Sequence, residues 1–246
     1  MFNISLAIFA GLSIILHFGL SIIAKLFITD NDKMLTESFS EGISNPFYIW
    51  LFIVIMYISL INFFYADIAG GYIKNLAGQV RNKRDLLFSK LIAGVIHNLV
   101  FLVVGVVSNI ICIVILSTSG LIEMKDDENI FAAVITLLLV WMLSAAIAAM
   151  LLFITNAVKN KTFATVAAVF FATGALGLVY MGVNSAVSNI FKTSNFDLAN
   201  YMPDTLIGSV NVAANTSVIV PVIVSIAFTV VFTALSIVVF NSRDVK

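Results

Sequence analysis

The sequence predicts an all-α integral membrane protein, a bundle of six transmembrane helices that forms a single domain over residues 1–246. Three observations predict this fold class. Hydrophobic residues make up 61% of the chain and charged residues 11%, which is far from the composition of soluble proteins. Six apolar runs are long enough to cross a bilayer, and most basic residues fall in alternate loops between them.

Each apolar run is bounded by charged or turn-forming residues. A hydrocarbon core of about 30 Å needs about 20 helical residues, and no run alternates polar and apolar residues as a barrel strand does. The first run has no basic segment before it and no cleavage motif after it, so we interpret it as a retained span and not as a signal peptide. The predicted spans are residues 3–27, 46–66, 91–116, 130–155, 162–183 and 218–240.

The charged residues divide unequally between the two sides of this arrangement. The loop after span two, the loop after span four and the C-terminal tail together hold nine basic and three acidic residues. The opposite side holds four basic and ten acidic residues. Because basic residues that flank spans are retained in the cytoplasm, we expect a multi-pass protein of the cell membrane with its N- and C-termini cytoplasmic.

Small residues recur at helical spacing inside span five. Ala164, Ala168 and Ala172 lie four residues apart, and Gly174 and Gly177 follow them. Helices in lipid pack most closely where small residues let their backbones approach. We therefore predict that these five residues form a helix contact face.

The chain carries few residues that could perform chemistry. It contains no metalloprotease or serine-hydrolase motif, and no glycine is followed by lysine, which excludes a phosphate-binding loop. The single cysteine, Cys112, has no companion for a disulfide or a metal site. His17 and His97 lie inside spans, where a lone histidine is more often a hydrogen-bonded interior residue than a proton relay. We expect no catalytic residue, no metal site and no cofactor bound by this chain.

The loop between spans two and three, residues 67–90, is the most informative segment. Tyr72, Ile73, Leu76 and Val80 fall on one helical face, and Lys74 falls elsewhere, which predicts a short amphipathic helix at the cytoplasmic surface. Two interpretations of this helix remain open. It is either a contact for a partner protein or a basic loop that rests on anionic lipid headgroups.

At this loop the chain resembles the permease subunits of type-2 ABC exporters, especially the small permeases for export of, or immunity to, bacteriocins and peptide antibiotics. Those proteins leave span two with a carboxylate and a glycine, continue with a helix close to Ile-Lys-Asn, and open span three with a lysine. The resemblance implies that the loop is a coupling helix that docks on an ATPase subunit. The residues of this ATPase-coupling loop are Asp67, Gly71, Tyr72, Ile73, Lys74, Asn75, Leu76, Arg81, Lys83, Arg84 and Lys90.

The segment between spans five and six, residues 184–217, is too apolar for an ordinary solvated loop. It resembles the re-entrant outer hairpin of the same family. An amphipathic loop that lies on the outer leaflet would have a similar composition. The residues that we assign to this outer hairpin are Ile190, Phe191, Phe196, Tyr201 and Pro203.

The resemblance implies a function and a set of partners. This chain would be the permease subunit of an ATP-driven exporter in the bacterial plasma membrane, paired with a second permease subunit, the same or paralogous. ATP and Mg²⁺ would be bound by a separate ABC ATPase subunit, and the cargo would be hydrophobic or amphipathic peptides. The alternative is a membrane channel or a toxin-immunity scaffold that is not driven by ATP, and a secondary carrier ranks third.

Overall fold

The computed structural model describes residues 2–27, 35–44, 50–69, 83–120, 122–124, 129–158, 160–191, 197–212 and 217–242. This part of the chain is mostly helical, as the sequence predicts. Two short strands and a 3₁₀ turn at Leu198–Tyr201 accompany the helices. In chain order the helices and strands are α1 (Phe2–Phe27), β1 (Leu35–Glu37), α2 (Phe39–Ser44), α3 (Trp50–Ala69), α4 (Lys83–Thr118), β2 (Ile122–Met124), α5 (Ile130–Val158), α6 (Lys161–Thr173), α7 (Gly177–Phe191), α8 (Pro203–Ser209) and α9 (Ile219–Asn241).

Three of the described helices are long and apolar enough to cross a membrane, by length and composition. They are the segments Arg84–Thr118, Ile130–Val158 and Ile219–Phe240. The pair α6 and α7 makes a fourth candidate if its two bent halves count as one span. Two shorter apolar helical stretches, Ile4–Leu16 and Leu51–Ala66, fall within predicted spans one and two. A helix therefore lies in each of the six predicted ranges.

Helix α5 is the centre of the bundle. It packs against α9, α4, α2, α8, α6 and α3, and small residues allow these contacts because they leave room for neighbouring side chains. Ala146, Ala148 and Ala149 on α5 are fully buried. The largest side chains of the core come from α1, α3 and α4, where the Phe9 ring meets those of Phe52 and Phe101 edge-on at 5.2 Å.

Predicted span two corresponds to helix α3 alone, and the shorter helix α2 precedes it in the chain. Helix α3 begins at Trp50, and the shorter helix α2 packs against α4 and α5. The contact is tight at Gly42, where an added Cβ would lie 2.8 Å from Cδ1 of Ile113. Residues 46–49, with which we began the predicted span, lie outside the described part of the chain.

Predicted span five is bent by 73° between α6 and α7. Helix α6 starts where the Asn160 side chain accepts hydrogen bonds from the Thr162 and Phe163 amides, at 2.9 and 3.3 Å. It ends at Gly174, whose φ of 67° is a left-handed conformation that glycine adopts without a steric penalty.

The predicted contact face of span five is correct in its first half and wrong in its second. Ala164 and Ala168 are fully buried, and Ala172 is 7% exposed, in a helix that packs against α3. Gly174 and Gly177 have no neighbouring atom within 4 Å of an added Cβ. These two glycines flank the bend and do not serve close packing.

A two-stranded parallel sheet joins two interhelical connections at one end of the bundle. Leu35 of β1 pairs with Ile122 of β2, and the register continues to Glu37 and Met124. The backbone amide of Val212 donates to Oγ1 of Thr136, near the start of α5, at 3.0 Å. The connections that the charge pattern assigns to the acidic side therefore meet at one end.

Candidate functional site

The predicted ATPase-coupling loop lies between the end of α3 and the start of α4. Asp67 and Lys83 belong to these two helices by their backbones, and their side chains are outside the described structure. Arg84, in the first turn of α4, is exposed. The remaining members before Lys83 lie outside the described residues, namely Gly71, Tyr72, Ile73, Lys74, Asn75, Leu76 and Arg81.

Lys90, the last member of this loop, is buried between the two helices that flank it. Its exposed fraction is 6%, and its Nζ donates a hydrogen bond to the backbone carbonyl of Phe64 at 3.5 Å. One turn further along α4, an added Cβ at Gly94 would lie 2.8 Å from Cζ of Phe64. The backbone and the ring of Phe64 therefore both contact α4, so that α3 and α4 are closely packed next to the loop.

His97 is a hydrogen-bonded interior residue, which is the more common of the two roles that the sequence leaves open. Its Nε2 lies 3.1 Å from Oγ of Ser59 on α3, and its Nδ1 lies 3.3 Å from Oδ1 of Asn98. Asn98 in turn donates from Nδ2 to the carbonyl of Ser144 on α5 at 3.0 Å. The imidazole ring stacks on Phe101, with 4.7 Å between ring centroids. This polar cluster links α3, α4 and α5, and the side chain of His17 is not among the described ones.

The described residues of the predicted outer hairpin lie in helical segments, namely the end of α7, the 3₁₀ turn and α8. Ile190 is 73% exposed near the end of α7, and Tyr201 is 51% exposed in the 3₁₀ turn. Pro203 is buried in the first turn of α8, where its missing N–H breaks no helical hydrogen bond. Helix α8 packs against α5 and α9. The side chain of Phe191 and all of Phe196 lie outside the described residues.

Asp204, which follows Pro203, is a buried carboxylate that we missed in the sequence. Only 7% of the residue is exposed, and its Oδ1 accepts a hydrogen bond from the Tyr180 hydroxyl at 2.8 Å. Its Oδ2 has no hydrogen-bond partner in the described structure. Burial raises the pKa of the Asp204 carboxyl above its usual range, and the bond from Tyr180 offsets part of that rise. The available signal was an acidic residue within a short apolar helix after a proline.

An open groove of about 610 Å³ lies where α6 bends into α7. Asn184 shapes one side of it, because its Nδ2 donates to Oδ1 of Asp197 at 2.7 Å and its Oδ1 accepts from the Leu198 amide at 2.8 Å. The groove presents more apolar than polar surface. The residues that line it are Gly174, Gly177, Leu178, Tyr180, Met181, Asn184, Asp197 and Ala199.

Within the described residues, no group of three histidine, cysteine, aspartate or glutamate side chains could hold a metal ion. Cys112 is buried. The described residues include a closely packed contact between α3 and α4, and a groove at the bend between α6 and α7 that Asp197 lines.

Comparison with known proteins identifies one relationship. A family model described as an ABC-2 family transporter protein matches residues 4–175. The match includes the whole predicted loop between spans two and three. No curated protein and no solved structure matches the chain.

Proposed function

This chain belongs to the ABC-2 family of transporter proteins, and from that premise we propose that it is the six-span permease subunit of an ATP-driven exporter. The match over residues 4–175 carries the proposal. Membership of this family implies an ABC ATPase as a partner, so the energy source is a separate polypeptide. ATP and Mg²⁺ would bind to that partner and not to this chain.

We propose that all six helical segments cross the membrane and that both termini lie in the cytoplasm of a bacterial cell. A helix in each predicted range supports the count. The meeting of β1 with β2 and of Val212 with α5 supports a common outer side for the acidic connections. The basic connections then lie together in the cytoplasm.

Residues 67–90 are, in this proposal, the site at which the ATPase docks. Helix α4 has 36 residues, which corresponds to about 54 Å at 1.5 Å per residue. This length exceeds a hydrocarbon core of about 30 Å. The first turns of α4 would therefore extend beyond the membrane to the ATPase, and the contacts of Lys90 and Gly94 with Phe64 would carry its movement to α3.

The cargo in this proposal is a hydrophobic or amphipathic peptide that leaves the membrane or the cell. Two permease subunits, identical or paralogous, would form the pathway. The apolar groove at the bend between α6 and α7 supports such a cargo, because Leu178 and Met181 supply apolar walls and Asp197 supplies a charge at the rim.

Charge reversal in the loop tests this function directly. The change is the triple variant Lys74→Glu, Arg81→Glu and Arg84→Glu in the full chain, co-expressed with a candidate ABC ATPase from the same genome. We expect at least about a tenfold loss of co-purified ATPase and of ATP-dependent peptide release from cells, because like charges at an interface cost several kcal/mol. The matched control reverses three basic residues on the predicted outer side, Lys33, Lys125 and Lys192, and should retain ATPase binding.

Two results would contradict the proposal. One is wild-type chain that never retains an ATPase in mild detergent, which would favour the channel or immunity scaffold. The other is a triple variant that retains its ATPase and releases peptide as well as the wild type does.

A further inference from the structure

The bend between α6 and α7 limits how far these two helices advance across a membrane. Helix α6 has 13 residues, which corresponds to about 20 Å at 1.5 Å per residue. Helix α7 has 15 residues, but because its axis turns by 73° it advances only about 7 Å further along the axis of α6. The two helices together therefore do not exceed a hydrocarbon core of about 30 Å.

The start of α6 sets the depth of the bend in the six-span arrangement. Lys161, the first residue of α6, is exposed, and basic residues that flank spans lie at the cytoplasmic boundary. Gly174 then lies about 20 Å into the hydrocarbon core, roughly 10 Å short of its outer boundary. The groove at the bend therefore opens into the outer leaflet and not into water.

The composition and the exposure of α7 agree with this depth. None of its residues is charged. Leu178 is 78% exposed and Met181 is 68% exposed, and both side chains line the groove. Exposure of large apolar side chains is unfavourable in water, because water cannot replace the apolar contacts that burial gives. Hydrocarbon is the surrounding that suits these residues.

A groove at this depth needs an occupant. The lining atoms of an empty void lose their dispersion contacts on one side, and water in such a groove finds few polar partners. The groove volume of about 610 Å³ falls within the range of ligand sites, roughly 300–1,000 Å³. The molecules that surround the bend in the outer leaflet are lipids, so a lipid acyl chain is the available occupant.

Asn184 gives the groove a polar rim. It follows Leu178 along α7 and so lies nearer the outer boundary. Its Oδ1 accepts from the Leu198 amide at 2.8 Å, and its Nδ2 donates to Asp197 at 2.7 Å. A side-chain amide carries two N–H donors, and the described structure shows an acceptor for one of them. The second donor suits an ester carbonyl, which stands at the outer end of an acyl chain.

From these observations we propose that the groove binds one acyl chain of a phospholipid from the outer leaflet. The acyl chain lies against Leu178 and Met181, and Asn184 donates a hydrogen bond to an ester carbonyl of the same lipid. This inference rests on the six-span arrangement of the proposed function. It identifies the molecule that fills the groove when no peptide occupies it.

The test is photocrosslinking of the full chain in nanodiscs of phosphatidylcholine, a small part of which carries a diazirine midway along one acyl chain. Mass spectrometry identifies the labelled residues. We expect Leu178 and Met181 to be labelled at least about fivefold more than lipid-facing residues of α9, a ratio that corresponds to about 1 kcal/mol of preference. The reference residues are Ile223 and Val230, which are 61% and 62% exposed.

A pair of matched substitutions on α7 fills or spares the groove. Gly177 lines the groove and has no atom within 4 Å of an added Cβ, so Gly177→Trp places an indole in it. Gly182 has equally open surroundings but does not line the groove, so Gly182→Trp adds the same side chain elsewhere. We expect labelling of Met181 to fall at least about fivefold in Gly177→Trp and to change less than about twofold in Gly182→Trp. Because one residue is compared between variants, its intrinsic reactivity cancels.

Two outcomes would overturn the proposal. One is equal labelling of the groove and of α9, and the other is labelling of Met181 that Gly177→Trp leaves unchanged. If Gly177→Trp cannot be purified, the comparison with α9 decides the matter.

The depth of the bend is tested separately with Met181→Cys and a water-soluble maleimide, since the native Cys112 is buried. Rapid modification would place the bend in water and refute both the bound acyl chain and the six-span arrangement. Absence of modification together with unselective crosslinking would refute the bound acyl chain alone. The assays contain no ATPase, so they do not depend on the partner that the proposed function requires.

Discussion

The α3–α4 contact and the α7–α8 region differ in how closely their side chains pack and in whether their buried polar atoms have hydrogen-bond partners. Between α3 and α4, Phe64 uses its ring and its carbonyl to contact Gly94 and Lys90, and Phe64 is 1% exposed. Around α7 and α8, Leu178 is 78% exposed, and the buried Oδ2 of Asp204 has no described hydrogen-bond partner. Closely packed interfaces transmit displacement because they resist compression. The first region is therefore suited to conduct motion, and the second to accept a ligand.

Glycine-to-alanine changes in the two regions are expected to give the largest difference in the free energy of unfolding. Gly94→Ala places a Cβ 2.8 Å from Cζ of Phe64 and should lower the free energy of unfolding by about 1–3 kcal/mol, the usual cost of overpacking. Gly182→Ala on α7 meets no atom within 4 Å and should be neutral or slightly stabilising. Unfolding in mixed detergent, followed by circular dichroism, measures both, and equal effects would remove the contrast in packing.

A smaller loss of stability is expected from a substitution at Gly174, where the backbone has a positive φ. Gly174→Ala forces an L side chain into a left-handed conformation and should destabilise the chain by about 1–2 kcal/mol. Gly177→Ala lies three residues away with no positive φ and open space around it, and serves as the control. If the two variants unfold alike, the bend does not depend on the conformation of Gly174.

The smallest effect on stability is expected in the polar cluster around His97, which links α3, α4 and α5. A double-mutant cycle of Ser59→Ala with His97→Phe should give a coupling energy of about 0.6 kcal/mol, the average for side-chain hydrogen bonds between membrane helices. The same unfolding assay measures it. A coupling energy of zero would mean that this hydrogen bond contributes nothing to holding α3 against α4.

Apolar length and charge were enough to predict where helices lie, because burial in lipid constrains whole segments. For His97 they favoured an interior hydrogen-bonded residue without assigning it a role, since a polar ring among apolar helices needs a partner. They did not predict the bend at Gly174, because a glycine suits a contact face and a left-handed turn equally well. The packing of α6 against α3 and the different direction of α7 distinguish these roles, and both depend on tertiary structure.

The burial of Asp204 is a second feature that could not be predicted from the sequence. An acidic residue in a connection is normally solvated, and we counted it among the outer charges. Its burial depends on the packing of α8 against α5 and α9, and on the approach of Tyr180 from α7. No short pattern encodes contacts between segments so distant in the chain. The ATPase-coupling loop, in contrast, stays a sequence prediction at its central residues, since the structure describes only its two flanks.

The pairing of Leu35 with Ile122 has a consequence for biosynthesis. Strand β2 leaves the ribosome 87 residues after β1, which corresponds to roughly 4–17 s at about 5–20 residues per second. During that interval the connection between α1 and α2 must remain without its partner strand. Helix α2 also cannot make its contact at Gly42 until α4 has been synthesised, because that contact is with Ile113 of α4. Helix α4 is therefore synthesised before β1 and β2 can pair, and α1, α3 and α4 assemble as a group of three.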